Sequence, residues 1–215
     1  MDTTDDGRAI MHIRQAGADD VAASAAILAE AFEDDPLLHD FVPAGPDRRS
    51  RLALLFAALM RRGALRHGAV DVAEVPGEGI VGVAVWEGPG RATGAGWATL
   101  REACTLVRAM GVRGLVSSRP VLRAFARHRP ERAHWYLDQI GVSAAGRGRG
   151  VGGALLAHGL ERADREGLPA YLVSSTEHNR RLYRRHGFGD GEIVAGASGA
   201  APMAMLREPG SVAPA

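Results

Sequence analysis

The stretch His134-Trp-Tyr-Leu-Asp-Gln-Ile-Gly-Val142 is followed at once by Ser143-Ala-Ala-Gly-Arg-Gly-Arg-Gly-Val-Gly-Gly153. The first segment is aromatic and then apolar, which predicts a strand. The second predicts a glycine-rich loop leading into a helix from Gly150 to Glu166. Glycines at such a turn let the backbone approach a ligand, and the N–H groups at the helix start favour an anion. We therefore expect a phosphate-bearing ligand here, with Arg147 and Arg149 adding charge at its rim.

Two common phosphate-binding motifs fit this loop poorly. A Walker loop needs Gly-Lys-Ser/Thr at its end, and this chain has none there. Gly148, Gly150 and Gly153 have the spacing of a dinucleotide fingerprint. However, the next predicted strand, 169–174, ends in serine and supplies no acidic residue for a ribose. A dinucleotide-binding module, and glycines that only pack a helix on a strand, remain as alternatives.

Strands and helices interleave along the rest of the chain, which indicates an α/β (α+β mixed) protein built on a single central mixed sheet flanked by helices. We expect a disordered N-terminus over 1–8, a single domain over 9–207 and a flexible tail over 208–215. Hydrophobic spacing predicts strands over 10–14, 69–75, 80–86, 134–142, 169–174, 188–195 and 201–207, and helices over 21–32, 47–62, 96–110, 120–128, 150–166 and 177–186.

The composition excludes several classes of protein. Lys and Arg number 26 against 25 Asp and Glu, so the net charge of +1 gives no general attraction to nucleic acid or membranes. Cys104 is the single cysteine, so we expect a core thiol and no disulfide. The histidines lack the spacing of metal ligands, so no metal is expected. Residues 1–9 do not resemble a signal peptide, and no apolar run approaches the roughly 18 residues of a membrane span. We expect a cytoplasmic protein.

Two linked motifs carry a resemblance to a known family. Arg147-x-x-Gly150-x-Gly152, after a strand and at a helix start, resembles the pyrophosphate-binding motif of the GNAT superfamily of N-acetyltransferases. Downstream, Asn179-x-x-x-Tyr183-x-x-x-Gly187-Phe188 is similar to that superfamily's second signature. The likeness extends to puromycin N-acetyltransferase and its actinobacterial relatives, although Val173 stands where these tend to carry Glu.

The resemblance implies a GNAT-like acyl-CoA N-acyltransferase fold, with a mostly antiparallel sheet of about seven strands, and acetyl-CoA as co-substrate. It implies that Tyr183 contacts the cofactor and is the general acid that protonates the departing thiolate, with the alternative that it only packs its ring and hydrogen-bonds with CoA. Asn179 is expected to bond the pantetheine or a nearby water, with helix-start capping as the alternative. The resemblance also implies that the pantetheine and pyrophosphate lie against the backbone of Ile140, Gly141, Val142, Arg147, Gly148, Arg149, Gly150, Val151, Gly152 and Gly153.

A general base must also remove a proton from the ammonium group of the acceptor. Asp138 is the first candidate, because a lone carboxylate in an apolar strand is costly without a partner. Strand alternation would place it on one face with Tyr136, Ile140 and Val142. His134 is a weaker candidate.

The acceptor pocket is expected to come from the early helices and the hairpin. Asp34 and Asp35 would attract a cationic amine, and Phe32 and Trp86 would stack on it. The alternative is that these are solvated helix-end acids and core aromatics.

The sequence therefore predicts an N-acetyltransferase that moves the acetyl group of acetyl-CoA to a primary amine of a small molecule, such as an antibiotic or amine metabolite. We expect a monomer or a homodimer. One alternative is acetylation of a protein N-terminus or lysine. The other is a non-catalytic acetyl-CoA-binding protein.

Overall fold

The computed structural model describes residues 11–39, 41–90, 100–194 and 201–211; the predicted disordered N-terminus, 1–8, lies outside them. The strands are β1 (His12–Gln15), β2 (Gly68–Val75), β3 (Gly79–Glu87), β4 (Trp135–Val142), β5 (Ala170–Ser174), β6 (Gly189–Ile193) and β7 (Met203–Arg207). The helices are α1 (Val21–Ala31), α2 (Arg48–Arg62), α3 (Ala64–His67), α4 (Leu100–His128), α5 (Val151–Arg165) and α6 (Glu177–Arg184).

The seven strands form one sheet in the order β1-β2-β3-β4-β5-β7-β6. Neighbouring strands run antiparallel except β4 and β5, which are parallel. The predicted mixed, mostly antiparallel sheet is therefore confirmed. Because β4 and β5 run in the same direction, the chain must cross over between them, and α5 makes that crossover.

The two faces of the sheet bury different helices. Val70, Val72, Val83 and Val85 of the hairpin pack with α1 and α2 on one face. Ala84, Trp86 and Leu137 pack with the apolar side of α5 on the other. Side chains alternate between faces along a strand, so each hairpin strand contributes to both layers. The glycine-rich loop and α5 therefore lie on the opposite face from α1, α2 and α4.

Trp86 belongs to the α5 layer, and its predicted role in binding the acceptor is wrong. Its side chain is fully buried, and a Cβ built on Gly159 of α5 would lie 2.3 Å from the indole Cε2. The indole ring therefore fills the space that a side chain at 159 would need.

Gly159→Ala is expected to destabilise the fold by roughly 1–3 kcal/mol, because the added methyl overlaps the Trp86 ring and overpacks the core. Urea unfolding measures the change as a lower midpoint at constant slope. Gly153→Ala on the same helix is the matched control. Its Cβ would meet His186 at 3.7 Å, an ordinary contact, so it should leave the midpoint unchanged or raise it. Equal midpoints for the two variants would contradict this account.

The long element α4 consists of two helices that meet at Gly111, which agrees with the prediction of two helices and with the predicted end of the first at 110. The second helix begins earlier than predicted. The chain is helical from Leu100 to His128 and is interrupted only at Gly111, whose φ of 68° and ψ of 170° suit glycine. Pro120 lies inside the second part instead of starting it. Cys104, predicted to be a core thiol, is exposed on this helix. The prediction for Cys104 is wrong because hydrophobicity alone does not say which side of a helix packs.

Residues 208–211 of the expected flexible tail are bonded to the domain. The Arg207 guanidinium pairs with Asp164 at 2.7 Å, and the Gly210 N–H donates to the same carboxylate at 2.8 Å. These contacts attach the end of β7 to α5. Within the described ranges, no helix combines the length and apolar character that crossing a membrane requires.

Candidate active site

Strands β4 and β5 are paired only at their beginnings. Their parallel register joins Trp135 with Ala170 and ends at Leu137 with Leu172. From there β4 continues to Val142, paired with β3 alone among the described strands. The side of β4 that faces β5 therefore presents its backbone N–H and C=O groups to an opening in the sheet. An extended ligand can form strand-like hydrogen bonds there.

A β-bulge at Asp138 changes which way β4 points its side chains. Val85 of β3 opposes Gln139, and the next residue, Trp86, opposes Leu137, so Asp138 is the additional residue. Asp138 and Gln139 consequently line the same cavity. Beyond the bulge, Ile140 and Val142 pack in the α5 layer. The prediction that they share a face with Asp138 is wrong, because simple alternation does not hold across a bulge.

The glycine-rich loop forms a set of backbone donors at the start of α5. Gly148 and Gly150 adopt left-handed conformations, with φ of 74° and 79°. The first hydrogen bond of the helix runs from the Ala154 N–H to the Gly150 carbonyl at 3.0 Å. The N–H groups of 151–153 therefore have no partner within the helix, as expected for a helix N-terminus. This concave group of donors suits a pyrophosphate.

The two arginines of the loop are engaged with carboxylates. The Arg149 guanidinium lies 2.7 Å from Glu78, and that of Arg147 lies 3.4 Å from Glu30. Glu30 also accepts a hydrogen bond of 2.7 Å from the Ala144 N–H. In this arrangement the backbone N–H groups, more than the guanidinium groups, provide the anion site.

The second motif forms α6, beyond the end of β5. Its cap is Thr176, whose hydroxyl accepts from the Asn179 N–H at 3.3 Å. The Asn179 side chain is therefore not needed as the cap, which removes the alternative role considered for it. Tyr183 lies one helical turn further on, buried with its ring edge-on to Phe188 at 5.9 Å.

The Tyr183 hydroxyl has no hydrogen-bond partner among the described residues. Burial raises the pKa of Tyr183 well above its usual range, and the nearby charge of Asp35 raises it further. Asp35 is itself held in place, since its carboxylate accepts from Ser175 Oγ at 2.6 Å and from the Leu37 N–H at 2.9 Å. Tyr183 is therefore a phenol that keeps its proton over the physiological pH range.

A cavity of about 440 Å³ lies on the α1, α2 and α4 side of β4. Asp35, Glu87 and Asp138 are its carboxylates. Burial, followed by the charge of Glu87, raises the pKa of Asp138 to about 7. A hydrogen bond from Gln139 and the positive charge of Arg129 oppose that shift. A carboxyl group with this pKa can accept and release a proton near neutral pH.

The structure brings together some of the predicted acceptor residues and separates others. Phe32 and Asp35 line the cavity. Asp34 is exposed at the end of α1 and is not part of the lining. His134 packs edge-on against Tyr171 at 5.7 Å and its Nδ1 lies 2.8 Å from the Arg132 carbonyl, away from the cavity. Asp34 and Trp86 were therefore wrongly assigned to the pocket.

Sequence reasoning missed the wall that α4 contributes, together with two polar residues. Glu87 ends β3 and pairs with Arg129 at 2.5 Å. Gln139 is 8% exposed, and its Oε1 has no partner among the residues that the structure describes. The spacing of Leu106, Met110 and Leu115 predicts a buried helix face, but it does not predict that this face lines a cavity.

Comparisons with known proteins agree on one family. The family model described as Acetyltransferase (GNAT) family matches residues 72–188, just over half of the chain. An uncharacterised N-acetyltransferase of Schizosaccharomyces pombe is 26% identical over 189 residues, which are 83% of this chain and 74% of that protein.

Two solved structures are similar over most of the chain. The first, described as a histone acetyltransferase HPA2 and related acetyltransferase from Corynebacterium glutamicum, has a TM-score of 0.74 at 29% identity, covering 93% of this chain and 96% of its own. An N-acetyltransferase from Staphylococcus aureus Mu50 has a TM-score of 0.62 at 18% identity, covering 91% and 99%.

Proposed function

We propose that this chain, which belongs to the acetyltransferase (GNAT) family of N-acetyltransferases, moves the acetyl group of acetyl-CoA directly to a primary amine of a small molecule. One observation carries the proposal: β4 separates from β5 after Leu137 and Leu172. Asp138 of β4 and Val173 and Ser175 at the end of β5 line the cavity, so the opening borders it, and the donor-rich start of α5 follows the end of β4 along the chain. A phosphate-bearing thioester and an amine can thus meet there from opposite faces of the sheet.

The backbone supplies the binding of acetyl-CoA in this proposal. The N–H groups from 148 to 153 hold the pyrophosphate at the start of α5, whereas that of Arg147 donates to the Ser143 carbonyl at 3.2 Å. The exposed edge of β4 at Ile140, Gly141 and Val142 pairs with the pantetheine, and Asn179 bonds to it from α6. When bound, acetyl-CoA supplies an acetyl thioester. A β4 N–H aimed at the carbonyl oxygen stabilises the charge that develops there by a few kcal/mol.

Two side chains move the protons. Asp138 accepts a proton from the substrate ammonium, which leaves the amine nitrogen with a lone pair to bond to the acetyl carbon. Bond formation leaves the nitrogen positively charged, and it loses a second proton to solvent. As the carbon–sulfur bond breaks, Tyr183 gives its proton to the departing thiolate. The net result is an acetamide and free CoA, with no covalent acetyl-enzyme. Solvent restores the proton of Tyr183 and removes that of Asp138.

The proposal predicts selective stabilisation by the co-substrate. Acetyl-CoA and CoA at about 100 times their Kd should each raise the free energy of unfolding by roughly 2.7 kcal/mol, a shift of several degrees in Tm. ATP and NADPH should produce much smaller shifts. A larger shift with NADPH would favour the dinucleotide alternative instead.

Gly150→Ala should weaken CoA binding by roughly tenfold or more, because it disturbs the left-handed turn that aims the donors of α5. Gly167→Ala is the matched control. Gly167 also has a positive φ, 65°, but lies past the other end of the same helix. Both substitutions strain the backbone, and only the first should change the Kd for CoA in calorimetric titration. Equal loss in both variants would argue against a pyrophosphate site at the start of α5.

A protein acceptor is the second candidate, favoured by the description of the Corynebacterium glutamicum relative as a histone acetyltransferase and related acetyltransferase. Thiol release with histone peptides, measured beside small amines, distinguishes the two. The sequence resemblance to puromycin N-acetyltransferase makes puromycin a further amine for the same assay. Val173 lines the cavity in this chain, and the glutamate expected there in such relatives is missing.

A further inference from the structure

The cavity beside β4 has a polar side and an apolar side, and they come from different elements. Its carboxylates Glu87 and Asp138 come from the sheet, and Asp35 comes from the segment after α1. Helices α2 and α4 line the opposite side mostly with hydrocarbon and also contribute the cations Arg62 and Arg119. Their apolar lining residues are Leu55, Phe56, Leu59, Leu106, Met110, Leu115, Leu122 and Phe125. A ligand with one ammonium group at the carboxylates and an apolar remainder therefore suits both sides, whereas a second positive charge would meet Arg62 or Arg119.

The polar side favours a single cation. Of the three carboxylates, Glu87 is paired with the Arg129 guanidinium, which also stacks over the Tyr136 ring at 3.9 Å. The carboxylates of Asp35 and Asp138 therefore remain in excess of the positive charge on this side. Gln139 lines the cavity next to Asp138 and is more than nine-tenths buried, and no described residue donates to its Oε1. A buried acceptor of this kind is costly until an N–H donor reaches it.

We propose that the acceptor is a primary monoamine on an uncharged hydrocarbon or aromatic body. Its ammonium group lies at Asp138 and Gln139, and its body lies against α2 and α4. This inference rests on the proposed acetyl transfer and restricts its substrate. A diamine or a polyamine would place a second positive charge among Leu and Phe side chains, where it loses its hydration, and near Arg62 and Arg119, which repel it.

Unbranched alkylamines test the apolar side directly. Butylamine, hexylamine and octylamine are titrated into the CoA-saturated protein, each beside the α,ω-diamine of equal length. Affinity should rise roughly threefold to fourfold for each methylene that becomes fully buried. Each diamine should bind more weakly than its monoamine. Affinity that does not change with chain length, or that favours the diamines, overturns the inference.

A pair of neighbouring residues on α4 supplies the matched variants. Leu115 lines the cavity, whereas Val116 is 55% exposed and does not. Leu115→Gln should weaken octylamine binding by roughly fivefold to tenfold and leave the Kd of CoA unchanged. Val116→Gln should change neither value, and thermal unfolding checks that both variants fold. Equal octylamine affinity in both variants would also overturn the inference.

Thiol release separates this inference from the proposed function. If alkylamines bind in a way that depends on Leu115 but no thiol is released, the cavity prefers monoamines as proposed, and acetyl transfer to such amines is contradicted. Thiol release with a diamine, spermidine or histone peptide, but with none of the alkylamines, supports an N-acetyltransferase and overturns the monoamine inference. Thiol release that increases from butylamine to octylamine supports both the proposed acetyl transfer and the monoamine inference.

Discussion

Asp138→Asn is expected to lower kcat/KM for the amine by roughly 10²- to 10⁴-fold at about pH 8, the usual contribution of a general base. The pKa of Asp138 is raised to about 7 by burial and by the charge of Glu87. Since a base works in its deprotonated form, wild-type kcat/KM should rise with pH through about 7. Asn cannot ionise, so the variant should lose that limb. Thiol release between about pH 5.5 and 9.5 measures both profiles.

Asp138→Asn should also stabilise the folded protein in the pH range in which it lowers activity. A carboxyl group whose pKa is higher in the folded state binds its proton more tightly there, so its contribution to stability falls as pH rises from about 4 to 7. Above pH 7 the buried charge is a cost that Asn does not carry. Asp138→Asn should therefore raise Tm at about pH 8 and change it less at about pH 5.

Asp34→Asn provides the control for Asp138, because Asp34 is exposed and does not line the cavity. It should alter neither the pH profile nor Tm. If kcat/KM of Asp138→Asn still rises with pH through about 7, the group that titrates there is not Asp138. Glu87, which lies on the neighbouring strand β3, pairs with Arg129 and raises the pKa of Asp138, would then be the next residue to replace.

The parts of this site that were predicted correctly depend on local chemistry. The glycine-rich loop, the start of α5 and the Asn179–Tyr183 helix follow from neighbours in sequence, through backbone conformations open to glycine and orphan N–H groups. Residues up to about four apart determine them. They appear in the structure within one or two residues of the predicted positions.

The errors come from long-range packing. Nothing within β4 marks Asp138 as a bulge, because the additional residue is defined only by the register with β3. From sequence alone, the Trp86 ring could lie on either face of the sheet. It packs against α5 because Gly159, 73 positions later, has no side chain and leaves room for it. The exposed Cys104 and the cavity wall on α4 depend likewise on where the helix docks.

Tyr183→Phe is expected to reduce kcat by roughly 10²-fold or more while leaving the Kd for acetyl-CoA close to the wild-type value. The change removes only the hydroxyl, which has no hydrogen-bond partner among the described residues, and keeps the ring against Phe188. The fold should therefore be almost unaffected, as thermal unfolding can verify. Because burial and Asp35 raise the pKa of Tyr183, wild-type activity should not decline up to about pH 10.

Tyr171→Phe is a control with the same chemistry. Tyr171 is also buried, and its hydroxyl also lacks a partner within the part of the chain that the structure describes. It lies on β5 where that strand is still paired with β4, whereas Tyr183 lies on α6 near Asp35. Loss of kcat at 183 but not at 171 would assign proton donation to one phenol and exclude a general effect of removing a buried hydroxyl. Equal kcat for Tyr183→Phe and wild type would mean that the thiolate departs without a proton from this residue. If the wild type binds acetyl-CoA yet never releases thiol with any amine or peptide, the non-catalytic alternative holds. The opening between β4 and β5 would then serve binding alone.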